Sequence, residues 1–97
     1  MNIRDFICAG EGNARTRAEL CMMTGLNDRE LRLAIQRENE KGEKPIINLG
    51  TGYFIPTNNE QILAYRNTEV ARARTIEKKI RTIDKYLEYQ DQMEIAL

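Results

Sequence analysis

Residues 16–32, Thr16-Arg17-Ala18-Glu19-Leu20-Cys21-Met22-Met23-Thr24-Gly25-Leu26-Asn27-Asp28-Arg29-Glu30-Leu31-Arg32, carry two helix-start signatures with one glycine between them. Thr16 stands three residues before Glu19, and Asn27 stands three before Glu30. In such a pair the first side chain accepts a backbone N–H of the opening turn, and the acid reaches back to the N–H of the cap. A helix is therefore expected from about Arg17 to Thr24, stopped by Gly25, and a second from about Asp28 to Lys41, stopped by Gly42. The tight turn between them needs a residue that tolerates a left-handed backbone, and Gly25 supplies it. Cys21, four residues before that glycine, offers a small side chain where the two helices approach most closely. Leu20, Leu26, Leu31 and Ala34 stand where they would hold the pair together, and Ile35 extends the stripe at i+4 from Leu31.

Upstream, apolar Ile3, Phe6, Ile7 and the smaller Ala9 suggest a short amphipathic helix, ended by Gly10 and the Gly12-Asn13 pair. Downstream of Gly42 the texture changes. Pro45-Ile46-Ile47-Asn48-Leu49 and Tyr53-Phe54-Ile55 are β-prone runs around Gly50-Thr51-Gly52, the pattern of a β-hairpin closed by Pro56. One of Tyr53 and Phe54 should point inward and the other should be half exposed. Thr57 can cap a helix that meets no breaker from Asn58 to the end of the sequence; forty such residues would extend roughly 60 Å. The expected architecture is mainly α with a small β-hairpin, in two parts: residues 1–57, and a long helix over 58–97.

Composition narrows the function. The sequence has 97 residues, 31% of them charged, with a formal net charge of zero. No run approaches the ~20 apolar residues of a membrane span. Met1-Asn2-Ile3-Arg4-Asp5 has no long apolar run behind it, so no secretory signal and a cytoplasmic location are expected. Histidine is absent, and Cys8 and Cys21 have no metal-ligand spacing, which argues against imidazole bases, Ser-His triads and the usual zinc sites. An enzyme, a cofactor and a small-molecule substrate are not expected. The two cysteines read as small buried apolar residues rather than a disulfide. The zero balance is uneven along the chain: residues 66–85 hold Arg66, Arg72, Arg74, Lys78, Lys79, Arg81 and Lys85 against Glu69, Glu77 and Asp84.

Thr16-Arg17-Ala18-Glu19-Leu20 followed by Thr24-Gly25-Leu26-Asn27-Asp28-Arg29-Glu30-Leu31-Arg32 resembles the helix-turn-helix of bacterial and prophage winged-helix proteins. Gly52-Tyr53-Phe54-Ile55-Pro56 and the helix after it look like the wing and the C-terminal helix of small prophage-type members. Arg15 departs from the pattern, since a hydrophobic residue there would make a better staple. The resemblance implies a winged helix-turn-helix that binds double-stranded DNA sequence-specifically, in transcription regulation or in control of phage replication. The second helix would then enter the major groove. Its buried side carries Leu31, Ala34 and Ile35; the opposite side presents Asn27, Asp28, Arg29, Arg32, Leu33 and Gln36, flanked by Arg37. Arg29 and Arg32 have the forked donors that suit guanine, and Gln36 suits adenine. Arg17 would stand where phosphate contacts occur, and Thr51, with Lys44, would touch the backbone or minor groove. Two other readings stay open. Arg29 and Arg32 alternate with Asp28 and Glu30 and would equally form a solvated, salt-bridged face. A winged domain can also be a protein-docking adaptor without DNA binding, and Asp28 and Glu38 would repel phosphate.

In the long helix, Ile76, Ile80, Ile83 and Leu87 fall at alternating spacings of four and three, a coiled-coil seam about two heptads long. In the same register Gln90 and Glu94 follow, so the seam should fade. Ile62, Leu63 and Tyr65 precede it out of register and should pack on the winged core. The seam would either fold back on Ile3, Phe6 and Ile7 or pair with a second chain. Pairing is the expectation, because so short a chain cannot cover so long a helix. A homodimer would also place two modules on two half-sites and strengthen binding through multivalency. Lys78, Lys79, Arg81 and Lys85 would then add phosphate contacts or form a solvated face.

Overall fold

A computed structural model describes the backbone of residues 1–96 and the side chains of residues 1–93. The expected helix end at residue 97 and the expected fading of the seam at Glu94 lie outside the described residues. The fold is mainly helical with one two-stranded antiparallel hairpin. Two compact units are distinguished, Met1–Tyr65 and the residues from Arg66 onward.

In the first unit α1 spans Arg17–Thr24 and α2 spans Asp28–Glu40. Both capping boxes form. Thr16 Oγ1 accepts from the Glu19 N–H at 3.2 Å, and Glu19 Oε1 accepts from the Thr16 N–H at 3.1 Å. Asn27 Oδ1 accepts from the Glu30 N–H at 2.9 Å, and Glu30 Oε1 accepts from the Asn27 N–H at 3.1 Å. Gly25 ends α1 in the left-handed region at φ 76°, and its N–H reaches the Cys21 carbonyl at 2.9 Å. A residue with a Cβ would be strained there, which is why the turn needs glycine.

The core lies where Ile3, Ile7, Leu20, Leu31, Ile35 and Ile46 meet, with Phe6, Cys21, Leu26, Ala34, Tyr53 and Ile55 packed around them. Leu20 and Leu31 are fully buried, the expected outcome for residues facing each other across the α1–α2 pair. Cys8 and Cys21 are free and half-buried rather than buried. Burial pushes the Cys21 thiol up, and its hydrogen bond to Asp28 adds to the effect, so both favour the protonated form.

The hairpin consists of β1 (Ile47–Asn48) and β2 (Tyr53–Phe54), with Ile47 opposite Phe54 and Asn48 opposite Tyr53. Phe54 is fully buried and Tyr53 half-buried, as the alternation of a strand requires. The reversal is tied by Asn48 Oδ1, which accepts from the N–H groups of Gly50 and Gly52 at 2.7 and 3.3 Å. Gly52, at φ 126°, lies so close to Arg15 that a Cβ would sit 2.7 Å from its carbonyl carbon and oxygen. That approach lets the free edge of β2 pair with Arg15, through the Tyr53 N–H to the Arg15 carbonyl at 2.8 Å and the return bond at 3.0 Å.

The same edge explains the first two departures from the sequence reading. Residues 3–9 are not an amphipathic helix: only Ile3–Phe6 form a 3-10 turn, and the chain is extended from Ile7. Cys8 and Gly10 instead exchange backbone bonds with Ile55, each at 2.9 Å, and these replace the helical ones. Arg15 serves as an edge partner rather than a deficient staple, and its guanidinium donates to the Phe6 carbonyl at 2.8 Å. The long helix α3 (Asn59–Ala96) is capped by Asn58, not Thr57. Asn58 Oδ1 accepts from the Gln61 N–H at 2.9 Å, while Gln61 Oε1 accepts from the Thr57 N–H at 2.9 Å. Ile62 and Tyr65 are half-buried as expected, but Leu63 is exposed.

Among the described residues no helix is long and apolar enough to cross a membrane. Ile3 and Ile7 are buried in the first unit, in the core that α1 and α2 supply. Ile76, Ile80, Ile83 and Leu87 of the second unit are all exposed.

Candidate nucleic-acid interface

The exposed face of α2 follows from its period. Leu31, Ile35 and Glu38 recur at spacings of four and three and are buried. Arg29, Arg32 and Gln36 recur at three and four on the opposite side and are exposed, with Leu33 and Arg37 beside them. Arg32 and Gln36 also border a cleft whose other walls include Ile46, Tyr53 and Tyr65, so they stand next to the hairpin.

The acidic residues that punctuate this face are engaged elsewhere. Asp28 Oδ1 lies 3.3 Å from Nε of Arg17 and 3.5 Å from Sγ of Cys21. Glu30 is turned back onto the Asn27 N–H. Glu38, only 5% exposed, faces inward and not toward any ligand of this face. Its Oε1 takes a 2.7 Å bond from Arg4 Nε and its Oε2 lies 2.9 Å from Lys41 Nζ. These bonds, Lys41 first and then Arg4, hold the Glu38 carboxyl below the usual range. Arg4 is fixed further by the Lys44 carbonyl and by Glu43 at 3.4 Å. Among the described residues no ion pair or side-chain hydrogen bond involves Arg29, Arg32 or Arg37. Arg29 and Arg32 thus form a solvated face without the ion pairs to Asp28 and Glu30, and with Arg37 their guanidinium donors are free for an acceptor.

The remaining expected residues are placed less simply. Asn27 is exposed, but its Oδ1 already accepts the cap bond, so its amide nitrogen is the group left without a partner for a ligand. Gln36 Nε2 donates to Glu40 Oε1 at 3.2 Å and would have to leave that partner to pair with a base. Arg17 is exposed and shared with Asp28. Thr51 is exposed at the hairpin tip, and Lys44 is exposed ahead of β1. Sequence reasoning missed the Arg4–Glu38–Lys41 group. The signal was present: an acid at Glu38 continues the apolar Leu31–Ile35 stripe, and a charge on a buried stripe implies a partner.

In the second unit Ile76, Ile80, Ile83 and Leu87 line one side of α3, with Glu77, Lys79 and Asp84 exposed beside them. Comparison with protein-family models, with curated proteins and with solved structures gives no match to this chain.

Proposed function

We propose that the chain is a winged helix-turn-helix protein that binds double-stranded DNA sequence-specifically as a homodimer, with α2 in the major groove and the hairpin as the wing. The observation that carries this reading is the pair Arg29 and Arg32. They are exposed on one face of α2 and free of ion pairs among the described residues, while Asp28, Glu30 and Glu38 are engaged elsewhere. Two guanidiniums at i and i+3 present forked donors one helical turn apart, the arrangement that suits guanine O6 and N7 in successive base steps. Arg17 supplies a backbone contact that carries no sequence information, and Thr51 brings the hairpin tip to the adjacent phosphate or minor groove. The role is regulation of transcription or of phage replication, in the cytoplasm and without catalysis.

A random-duplex selection at low salt tests it. Enrichment of a defined sequence, with affinity that falls steeply with salt, supports the proposal. Recovery of unenriched duplexes with no salt dependence overturns it.

The adaptor reading has one observation in its favour. Met22 on α1 is 87% exposed, and Met23 and Leu33 are exposed as well, large apolar side chains of which only Leu33 lies on the face assigned to DNA. A partner protein held through Met22 and Leu33, combined with absent DNA binding, would favour it.

A further inference from the structure

The proposed dimer leaves open how the two α3 helices run, and the charges flanking the seam answer that. Ile76, Ile80, Ile83 and Leu87 occupy the d, a, d and a positions of a heptad, with Ala73 at the preceding a. The flanking g positions are then Arg72, Lys79 and the uncharged Tyr86, and the flanking e positions are Glu77 and Asp84. One flank is basic and the other acidic. We propose that α3 pairs with α3 of a second copy of this chain as a parallel, in-register two-stranded coiled coil over residues 72–87, an inference that rests on the dimer reading above.

In a parallel pair each g residue meets the e residue of the next heptad on the other helix. Arg72 then meets Glu77 of the second copy, and Lys79 meets Asp84 of the second copy, each contact occurring twice by symmetry. In an antiparallel pair e faces e. With Ile76 opposite Leu87, Glu77 would lie beside Asp84 of the second copy twice along one flank, like charge against like, while along the other flank Lys79 would meet only Tyr86. The same apolar seam therefore supports both directions, but the charges support only one.

Glu77, Lys79 and Asp84 enter no ion pair among the described residues, so their charges are free for a second chain. Arg72 holds Glu69 at 3.2 Å within its own helix. That exposed pair contributes little and exchanges readily for Glu77 of the second copy. The seam is also narrow. Charged residues at e (Glu77, Asp84) and at the first two g positions (Arg72, Lys79) confine the apolar stripe to a and d until Tyr86, which suits two strands better than a wider bundle. Isoleucine at both d positions works in the other direction, toward more strands, so strand number is read out separately.

The test uses the full chain with Cys8→Ala and Cys21→Ala, adding Ile76→Cys. In the parallel arrangement the two Cys sulfurs face each other, and mild oxidation converts most of the protein to a covalent dimer. In the antiparallel arrangement residue 76 faces residue 87, and only a mixture of Ile76→Cys and Leu87→Cys chains crosslinks. Sedimentation equilibrium on the reduced protein gives strand number. A dimer that crosslinks through residue 76 supports the proposal. A dimer that crosslinks only in the mixture overturns the parallel direction and leaves the dimer standing. A trimer or tetramer overturns the two-stranded assembly, and a monomer overturns the dimer reading itself. A second set of variants avoids the seam. Glu77→Lys/Asp84→Lys alone should dimerise about tenfold more weakly at low salt, and an equal mixture with Arg72→Glu/Lys79→Glu should restore association. Unchanged self-association of Glu77→Lys/Asp84→Lys would contradict the charge argument.

Discussion

Nε of Arg17, on the first residue of α1, lies 3.3 Å from Oδ1 of Asp28, on the first residue of α2. The pair joins the starts of the two helices and sets the cation assigned to phosphate against an internal competitor. Both side chains are more than half exposed, so the bond adds little to stability. Asp28→Asn should therefore leave the melting temperature nearly unchanged while freeing Arg17 and removing a carboxylate from the end of α2 proposed to face DNA. DNA affinity at moderate salt should rise several-fold, with a steeper salt dependence, as measured by fluorescence anisotropy. A loss of affinity would mean that Asp28 positions Arg17 rather than competing for it.

Arg32→Ala and Arg17→Ala should separate base reading from backbone contact. Arg32→Ala should reduce discrimination against a substituted base pair by about 1–3 kcal/mol, because one forked contact is lost. Arg17→Ala should weaken binding to every duplex alike and lower the salt slope by about one. Both sites are exposed, so urea midpoints should stay close to wild type.

Glu38 gives a pH dependence with a definite sign. Hydrogen bonds from Lys41 and Arg4 depress its carboxyl in the folded chain, so the unfolded chain takes up the proton first as pH falls. Its contribution is complete above the ordinary carboxylate value of ~4.3 and is lost as pH drops through and below it. Glu38→Gln should melt several degrees lower at neutral pH and lose less stability than wild type between about pH 5 and pH 3. Parallel melting curves across that interval would show that Glu38 is not held by these partners. Glu19, depressed by its bonds to Thr16, titrates in the same interval in both proteins and cancels in the comparison.

Gly52 and Gly25 both have positive φ but differ in their surroundings. A Cβ at Gly25 meets open space, whereas at Gly52 it meets the Arg15 backbone at 2.7 Å. Gly25→Ala should cost about 1–2 kcal/mol from backbone strain alone. Gly52→Ala should cost clearly more, because the Arg15–Tyr53 pairing must open to admit the methyl group. Urea denaturation of the two variants measures the difference, and equal losses would mean that the edge pairing adds nothing.

What could be read in the sequence was what depends on neighbours along the chain. Both capping boxes, the Gly25 turn, the Leu31–Ile35 stripe and the hairpin glycines are local signals, and each appears where its spacing places it. What escaped depends on distant strands and charges. The period of Ile3, Phe6 and Ile7 suits a helix, but the free edge of β2 takes up the backbone of Cys8 and Gly10. Arg15 looked like a poor staple because its partners, Tyr53 and the Phe6 carbonyl, are remote or belong to another element. The same holds at the candidate interface. The exposed positions of Arg29, Arg32 and Gln36 follow from period alone, whereas the neutralisation of Asp28 by Arg17 and of Glu38 by Arg4 and Lys41 needs the packed structure.

The most direct measurement of the central claim is binding of the full chain to the duplex returned by selection and to its scrambled counterpart, over a series of salt concentrations, for wild type and for Arg29→Ala/Arg32→Ala. Wild type should bind the selected duplex at least ~10³-fold more tightly, binding to both duplexes should fall steeply with salt, and the preference should collapse in the double variant. Equal wild-type binding to the two duplexes, or a preference that survives loss of both arginines, would contradict recognition by α2.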